Sequence, residues 1–444
     1  NFEVYRGPMA HAYLFSLYGL LMYASRQFYL SAGRRYAILI GLSAGLITLI
    51  RPVEILALAI PLGYGLVDRQ ALRQRWAFWK AHAASIGWAV GMFIAMGLPQ
   101  VLYWKLATGG WHFDGYPGEA FDFRHARIHG GLFSYQNGWL TYSPAMWLSV
   151  LGIGWLAYHR RWLWPVLIFL PLHIYIAYSW WCWYYINGFG SRPMVEAAAL
   201  LSVPMAFTVA AMLSRPYLRV FFYLLTAFFI GLNLFQNWQH KQGILWTEAA
   251  NEGYYWAVFG KTKMTYDALI AFDTGERQPD SSQLKEHALL YSQDFEAADS
   301  SLQYAESPVG GGKQAALLTP ERKYLEFFAK EVGSLPLQAG DYLRVEAMCK
   351  KDVKEFPWYT APSIVVSTQV GEEVQHYRAL RIDSKLANPT FSIWGGEPGH
   401  WGWVRFYVKL PETLAPEQLL KVYVMAEKEV VYVDQVKVSV LKGP

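Results

Sequence analysis

Three stretches of the chain gather side chains that can do chemistry. The first centres on Arg51, in Leu46-Ile47-Thr48-Leu49-Ile50-Arg51-Pro52, between the apolar runs 36–50 and 53–67. A charge at the end of a hydrophobic hairpin is costly unless it reaches water, a partner or a ligand. A guanidinium fits a phosphate group bidentately. The structural alternative is a pair with Glu54, or a side chain extended toward water.

The second stretch is the segment 104–143. It holds Asp114, Glu119, Asp122, Arg124, Arg127 and the histidines His112, His125 and His129, among Trp111, Tyr116, Tyr135, Asn137, Trp139 and Tyr142. Aromatic residues alone would read as a belt at a bilayer face. Such a belt does not call for this density of ionisable groups, which points to a polar site covered by a loop. His125 and His129 stand at i, i+4 and would share a helix face as metal ligands, but no third ligand follows in register.

The third stretch runs from Trp180-Trp181-Cys182-Trp183-Tyr184-Tyr185 to Gly190-Ser191-Arg192-Pro193. Trp181, Tyr184 and Tyr185 offer flat apolar faces to a sugar ring and polar tips to its hydroxyls. Arg192 can bind phosphate with Glu196 orienting it, or the two can simply pair. His11, one turn into the first apolar run, can contact a substrate or make a polar contact between helices.

The elements that must position these residues follow from hydropathy. The 444 residues are 54% hydrophobic and 17% aromatic, with 16% charged. Residues 1–239 carry 17 Lys+Arg against 7 Asp+Glu, and residues 240–444 carry 22 against 27. A basic apolar half joined to an acidic half is expected of a membrane domain followed by an aqueous one. A span needs roughly 17–25 mostly apolar residues. The runs 9–25, 83–103, 162–179, 195–213 and 218–237, with the shorter 36–50, 53–67 and 144–158, predict about eight spans. Pro52 breaks the pair around Arg51 into a hairpin.

Basic residues orient the spans. The connections 26–35, 68–82, 159–161 and 214–219 are short and rich in arginine and lysine, as cytoplasmic loops are. The opposite side then receives Arg51, 104–143, 180–194 and the whole tail. The expected location is an integral membrane protein of bacterial inner-membrane type, its soluble domain on the external, periplasmic side. The chain starts at Asn1 and enters an apolar run from Met9 with no signal-peptide pattern before it, so further N-terminal sequence is expected upstream. Cys182 and Cys349 fall in different halves and form neither a metal spacing nor a disulfide framework.

Three domains are expected: the transmembrane core 1–238, a mixed helical linker region 239–288 and a strand-rich domain 289–444. In the last, the runs Tyr342 to Cys349, Ser363 to Val370, Val404 to Leu410, Leu420 to Met425 and Val430 to Leu441 alternate with period two between turn signals. That pattern predicts an all-β sandwich of jelly-roll type. Trp394, Trp401 and Trp403 can stack on a sugar or serve as packing.

The Arg51-Pro52 hairpin resembles the basic-residue-plus-Pro hairpin of GT-C-type membrane glycosyltransferases, the polyprenyl-phosphate-sugar-dependent class that includes the protein mannosyltransferases. Gly131-Leu132-Phe133-Ser134-Tyr135-Gln136-Asn137-Gly138-Trp139-Leu140-Thr141-Tyr142-Ser143-Pro144 and the Trp/Tyr cluster through Pro193 resemble later segments of that class, so the resemblance covers roughly residues 5–237. It implies transfer of a sugar from a polyprenyl-phosphate carrier to a glycan, lipid or protein acceptor at the external face. Arg51 would hold the carrier phosphate, with Arg124, Arg127 or Arg192 assisting. His11, Tyr135, Asn137, Trp139, Trp181, Tyr184 and Tyr185 would line the substrate site. The class places its catalytic base in the first external loop, upstream of Asn1, so no residue here is given that role. No metal ligands and no cofactor are assigned, and a divalent metal is compatible with the chemistry. Nothing points to nucleic acid. The alternatives are a ligase or polymerase of lipid-linked glycans, and a transporter or flippase of glycolipids.

Overall fold

The computed structural model describes residues 9–186, 188–297, 302–307, 312–352, 360–386, 399–427 and 429–443. It divides into two compact units, Asn1–His240 and Lys241–Pro444.

The first unit is helical. Helix α1 (Ala10–Ser31) ends at Ala32 in the left-handed conformation, and α2 (Arg34–Ile50) ends at Arg51, whose backbone is extended ahead of Pro52. The missing proline donor redirects the chain into a 3-10 helix, Pro52–Leu58, and the short α3 (Ala59–Gly63). There follow α4 (Arg69–Ala81), α5 (Ala83–Thr108), three short helices α6 (Ile128–Phe133), α7 (Trp139–Tyr142) and α8 (Trp147–Gly152), then α9 (Leu163–Ser179), α10 (Met194–Leu213) and α11 (Pro216–Lys241).

Four helices among the described residues are long and apolar enough to cross a membrane: Ala83–Thr108, Arg160–Ser179 (a stretch that takes in α9), Met194–Leu213 and Pro216–Lys241. The expectation of about eight spans is corrected accordingly. Pro52–Gly63 is a short apolar helix; seven residues at about 2.0 Å and five at about 1.5 Å reach about 22 Å, less than a hydrocarbon core. Pro144–Ala157 is likewise short and passes in and out of 3-10 geometry. Helix α1 has the length, but Ser16, Ser25, Arg26 and Gln27 dilute its apolar character.

Close approach of backbones organises this unit. A Cβ on Gly41 would lie 2.1 Å from the Ala89 carbonyl oxygen, and one on Gly45 would lie 2.8 Å from Met96 Cβ. The two glycines, four apart on α2, let α5 seat directly on the backbone, as small residues do between apolar helices.

The second unit opens with α12 (Glu252–Val258) and α13 (Tyr266–Thr274), capped by the side chains of Asn251 and Thr265. Among the described residues ten strands follow: β1 (Lys285–Gln293), β2 (Gln303–Glu306), β3 (Gln314–Leu318), β4 (Tyr324–Glu331), β5 (Tyr342–Lys351), β6 (Ser363–Val370), β7 (Glu373–Arg381), β8 (Gly402–Lys409), β9 (Leu419–Met425) and β10 (Val431–Lys442). One sheet runs β2-β3-β10-β5-β8, with β1 also paired to β10; the other runs β4-β9-β6-β7, and every pairing is antiparallel. From β4 to β10 the chain passes repeatedly between sheets, so their facing valines, leucines and phenylalanines form one core. The period-two runs read from sequence are β5, β6, β8, β9 and β10, and the β-sandwich expectation is met.

The segment after the first unit folds onto this sandwich. The Tyr266 hydroxyl meets both backbone groups of Arg405, and the Gln278 side chain meets both of Tyr407, covering edge strand β8. Asp273 on α13 bonds Arg381 Nε at 2.8 Å and the buried Lys385 ammonium, pinning the helix to the end of β7.

Candidate functional site

Five ionisable residues, each close to the end of a helix or turn, meet inside the first unit. His11 opens α1, Arg51 closes α2, Glu54 lies in the first turn of the 3-10 helix, His173 lies six residues before the end of α9, and Glu196 lies in the first turn of α10. The alternating directions of these helices bring all five to one end of the bundle.

Glu196 is the hub. Its side chain is fully buried, its Oε1 accepts from Arg51 Nη1 at 2.6 Å, and its Oε2 lies 2.9 Å from His11 Nδ1. Glu54, also buried, accepts from the Tyr18 hydroxyl at 2.6 Å and lies 3.5 Å from His173 Nδ1. His173 Nε2 lies 2.8 Å from the Pro193 carbonyl oxygen, which can only accept. That nitrogen therefore donates to the carbonyl, and Nδ1 is the ring atom that faces the Glu54 carboxylate. Buried carboxylates persist when cations and hydroxyls satisfy them in this way.

Arg51 differs from its neighbours in reaching outward, its side chain 23% exposed. It interacts with the Tyr185 side chain, and the Arg192 guanidinium stands over the Tyr185 ring at 5.5 Å. Two arginines, one tyrosine and a buried counter-charge thus meet at the mouth of the network.

Two loops close over this end. Backbone bonds Asp122 N to Ser179 O, Arg127 N to Tyr178 O and Trp181 N to Ala120 O lace the first loop to the end of α9. Asn137, buried and at φ 54°, donates from Nδ2 to the Tyr184 and Tyr185 carbonyls and accepts from Gly190 N at 3.0 Å. It is a bracket between the two loops. Trp139 is buried in the helical core, Tyr135 gives its carbonyl to the Tyr142 hydroxyl, and exposed Trp181 donates to Glu119.

The structure redistributes the residues singled out from sequence. Arg51, His11, Tyr185 and Arg192 come together. Arg124 and Arg127 are exposed on the covering loop. Glu196 serves Arg51 and His11, where the sequence reading had set it beside Arg192. Asp114 and Asp122 accept from backbone amides in local turns, and Asp122 also bonds His125. The helix carrying His129 begins at Ile128, so His125 and His129 share no helical face. Tyr18 and His173 were missed. His173 had a signal, a histidine inside the apolar run 162–179, where burial requires a partner; Tyr18 had none.

Glu54, His173 and Glu196 offer ligand atoms within 4.8 Å of one another. Arg51, His11 and Tyr18 already engage these carboxylates, so the trio fits an ion-pair network better than a metal centre.

In the second unit Trp401 packs its ring edge-on to Tyr432 at 6.3 Å, and Trp403 is exposed. Trp394 lies outside the described residues. On the outer face of the four-stranded sheet, exposed Tyr324 meets Tyr423 at 6.2 Å, and the exposed Tyr377 donates its hydroxyl toward Met425 Sδ across strand β6.

The chain therefore joins a helical unit holding a buried, cation-fronted carboxylate network to an antiparallel β-sandwich. It is similar to the CBM22-1 xylan-binding domain from Paenibacillus barcinonensis Xyn10C, with 14% identity over 36% of this chain and 99% of that one, at a TM-score of 0.24. It is also similar to a family 16 carbohydrate binding module, with 12% identity over 32% and 88% of the two chains and a TM-score of 0.22. A third similar structure is a cyclase from Fischerella sp. TAU, with 9% identity, 34% and 74% coverage and a TM-score of 0.21. No protein-family model and no curated protein matches the chain.

Proposed function

We propose that this chain is the membrane-embedded part of a glycosyltransferase that moves a sugar from a polyprenyl-phosphate carrier to an acceptor hydroxyl at the outer bilayer face. The observation that carries this reading is Arg51: its guanidinium is anchored from behind by the fully buried Glu196, yet its side chain remains partly exposed beside Tyr185 and Arg192. Departure of a polyprenyl phosphate leaves negative charge growing on the phosphate oxygens, and a cation fixed in advance stabilises it without reorganisation. Glu196 and His11 act by holding Arg51 in place. Exposed Trp181 and the partly buried Tyr184 give a sugar ring flat surfaces beside the same loops. The resemblance of the Arg51-Pro52 hairpin to GT-C enzymes points the same way. The four long apolar helices would sit in the bilayer, and the sandwich would hold glycan outside it, with Tyr324, Tyr377 and Tyr423 as its stacking surface.

The test is sugar transfer from radiolabelled polyprenyl-phosphate sugars by the protein as its gene encodes it, reconstituted in lipid. Arg51→Ala is expected to lose roughly 10²–10³-fold in kcat per folded molecule, the range for removing one transition-state donor, and to be less stable because Glu196 is left unpaired. Unchanged transfer would remove Arg51 from the site. No transfer from any monosaccharide carrier would redirect the reading to a ligase of longer lipid-linked glycans.

A further inference from the structure

Helix α4 is clamped to the bundle by one face and presents a built surface beside it. Asp68 caps it, its side chain accepting from Ala71 N–H at 2.7 Å. Phe78 packs on Phe28 and Tyr29 with ring centroids 5.5 and 5.4 Å apart. Arg75 lies 3.6 Å over the Tyr29 ring and donates to the Pro61 and Tyr64 carbonyls. The buried Arg75 is therefore spent on fixing the helix.

The flank beside that face carries Leu72 and Trp76, one turn apart and 58% and 60% exposed. Exposed Arg69, Arg73 and Lys80 flank this ridge, Lys80 standing 5.6 Å over the Trp76 ring, and the helix contains no acidic residue. More positive charge collects nearby. Arg26, Arg34 and Arg35 are exposed around the α1–α2 turn, and Arg160 and Arg161 join this end through the bond from Gly65 N–H to the Arg161 carbonyl. A fixed apolar ridge between cations matches a surface that is hydrocarbon just below and anionic above.

We infer that α4 docks on an anionic lipid surface, Leu72 and Trp76 entering the acyl boundary while Arg69, Arg73 and Lys80 bind acidic headgroups. This inference rests on the membrane reading of the helical unit. It commits to lipid because charge and apolar ridge act together; a free anion would engage the charges alone.

The experiment uses the full chain in neutral detergent, followed by thermal unfolding during titration with dioctanoyl phosphatidylglycerol, dioctanoyl phosphatidylcholine or glycerol phosphate. Phosphatidylglycerol should raise the midpoint and the other two should not. Each cation removed should weaken the response about fivefold, so a variant carrying Arg69→Gln, Arg73→Gln and Lys80→Gln should need roughly a hundredfold more lipid. Leu72→Ser with Trp76→Ser should weaken it as well. Equal responses in wild type and both variants, or a response to glycerol phosphate, would overturn the inference. Carbonate washing of membranes separates the two layers of the argument. A chain retained by the membrane but indifferent to phosphatidylglycerol sinks the α4 proposal alone, whereas a chain released by carbonate sinks the membrane reading and this inference together.

Discussion

Arg51 and Glu196, 145 positions apart in sequence, are joined by a 2.6 Å bond between Nη1 and Oε1, and the second carboxylate oxygen is held 2.9 Å from His11. Removing a single partner leaves an uncompensated charge in a buried site, which typically costs 3–5 kcal/mol, whereas removing both charges costs far less. Glu196→Ala is therefore expected to destabilise the helical unit strongly. The pair Arg51→Gln with Glu196→Gln should be closer to wild type in stability and still lack sugar transfer. A double-mutant cycle by chemical denaturation in detergent should return a coupling of roughly 0.5–3 kcal/mol. Simple additivity would mean that the two side chains do not interact.

Tyr18→Phe removes the hydroxyl that satisfies Glu54 without opening a cavity. Leaving the buried carboxylate short of a donor should cost about 1–3 kcal/mol, read as a lower unfolding midpoint. A variant as stable as wild type would show that water takes the place of the hydroxyl.

Gly41→Val should be worse than a typical helix substitution, because its Cβ would overlap the Ala89 carbonyl of the neighbouring helix. The helices must part, so loss of folded protein is expected by gel filtration. Gly97→Val on α5, where a Cβ meets nothing within 4 Å, is the control and should be tolerated.

The sandwich should become more stable as the solution is made mildly alkaline. Burial, opposed by Asp273, lowers the Lys385 ammonium from 10.5 to about 8. Below pH 8 both folded and unfolded chains hold the proton and the full cost of burying it is present. Between about pH 8 and 10.5 the unfolded chain holds more protons than the folded one, so stability rises with pH, by at most about 1.4 kcal/mol per unit. Denaturant midpoints of the second unit's transition between pH 7.5 and 9.5 should show this slope, and Lys385→Met should abolish it. A slope unchanged in the variant would assign the effect to another group.

Tyr324→Ala with Tyr377→Ala should leave the sandwich folded, since both rings are exposed, and should remove any binding of soluble oligosaccharides. Affinity electrophoresis of the full chain through a panel of polysaccharides checks this. Retention that survives the double variant but falls with Trp403→Ala would move the binding face to the other sheet.

Local pattern was enough for much of this protein. Period-two alternation, bounded by Gly, Pro and Asp turns, located five strands of the sandwich, because side chains of an antiparallel strand must alternate between core and water. Apolar run length located the long helices, and Pro52 located the break behind Arg51, since a missing N–H acts on its own turn. Run length alone overcounted the spans. It cannot tell a long continuous helix from a short one interrupted by 3-10 geometry, as at 52–63 and 144–157. The sequence also marked Arg51 as a residue in need of a partner but could not name it. Glu54 is three residues away, yet the carboxylate that holds Arg51 comes from α10. Pairing in a buried site depends on which helix ends meet in space, and that is settled by tertiary packing: by the glycines of α2, by the bracket of Asn137 and by the burial of Glu196. The same packing left Arg124 and Arg127 exposed on the covering loop and brought in Tyr18 and His173, which no spacing in the chain links to Arg51.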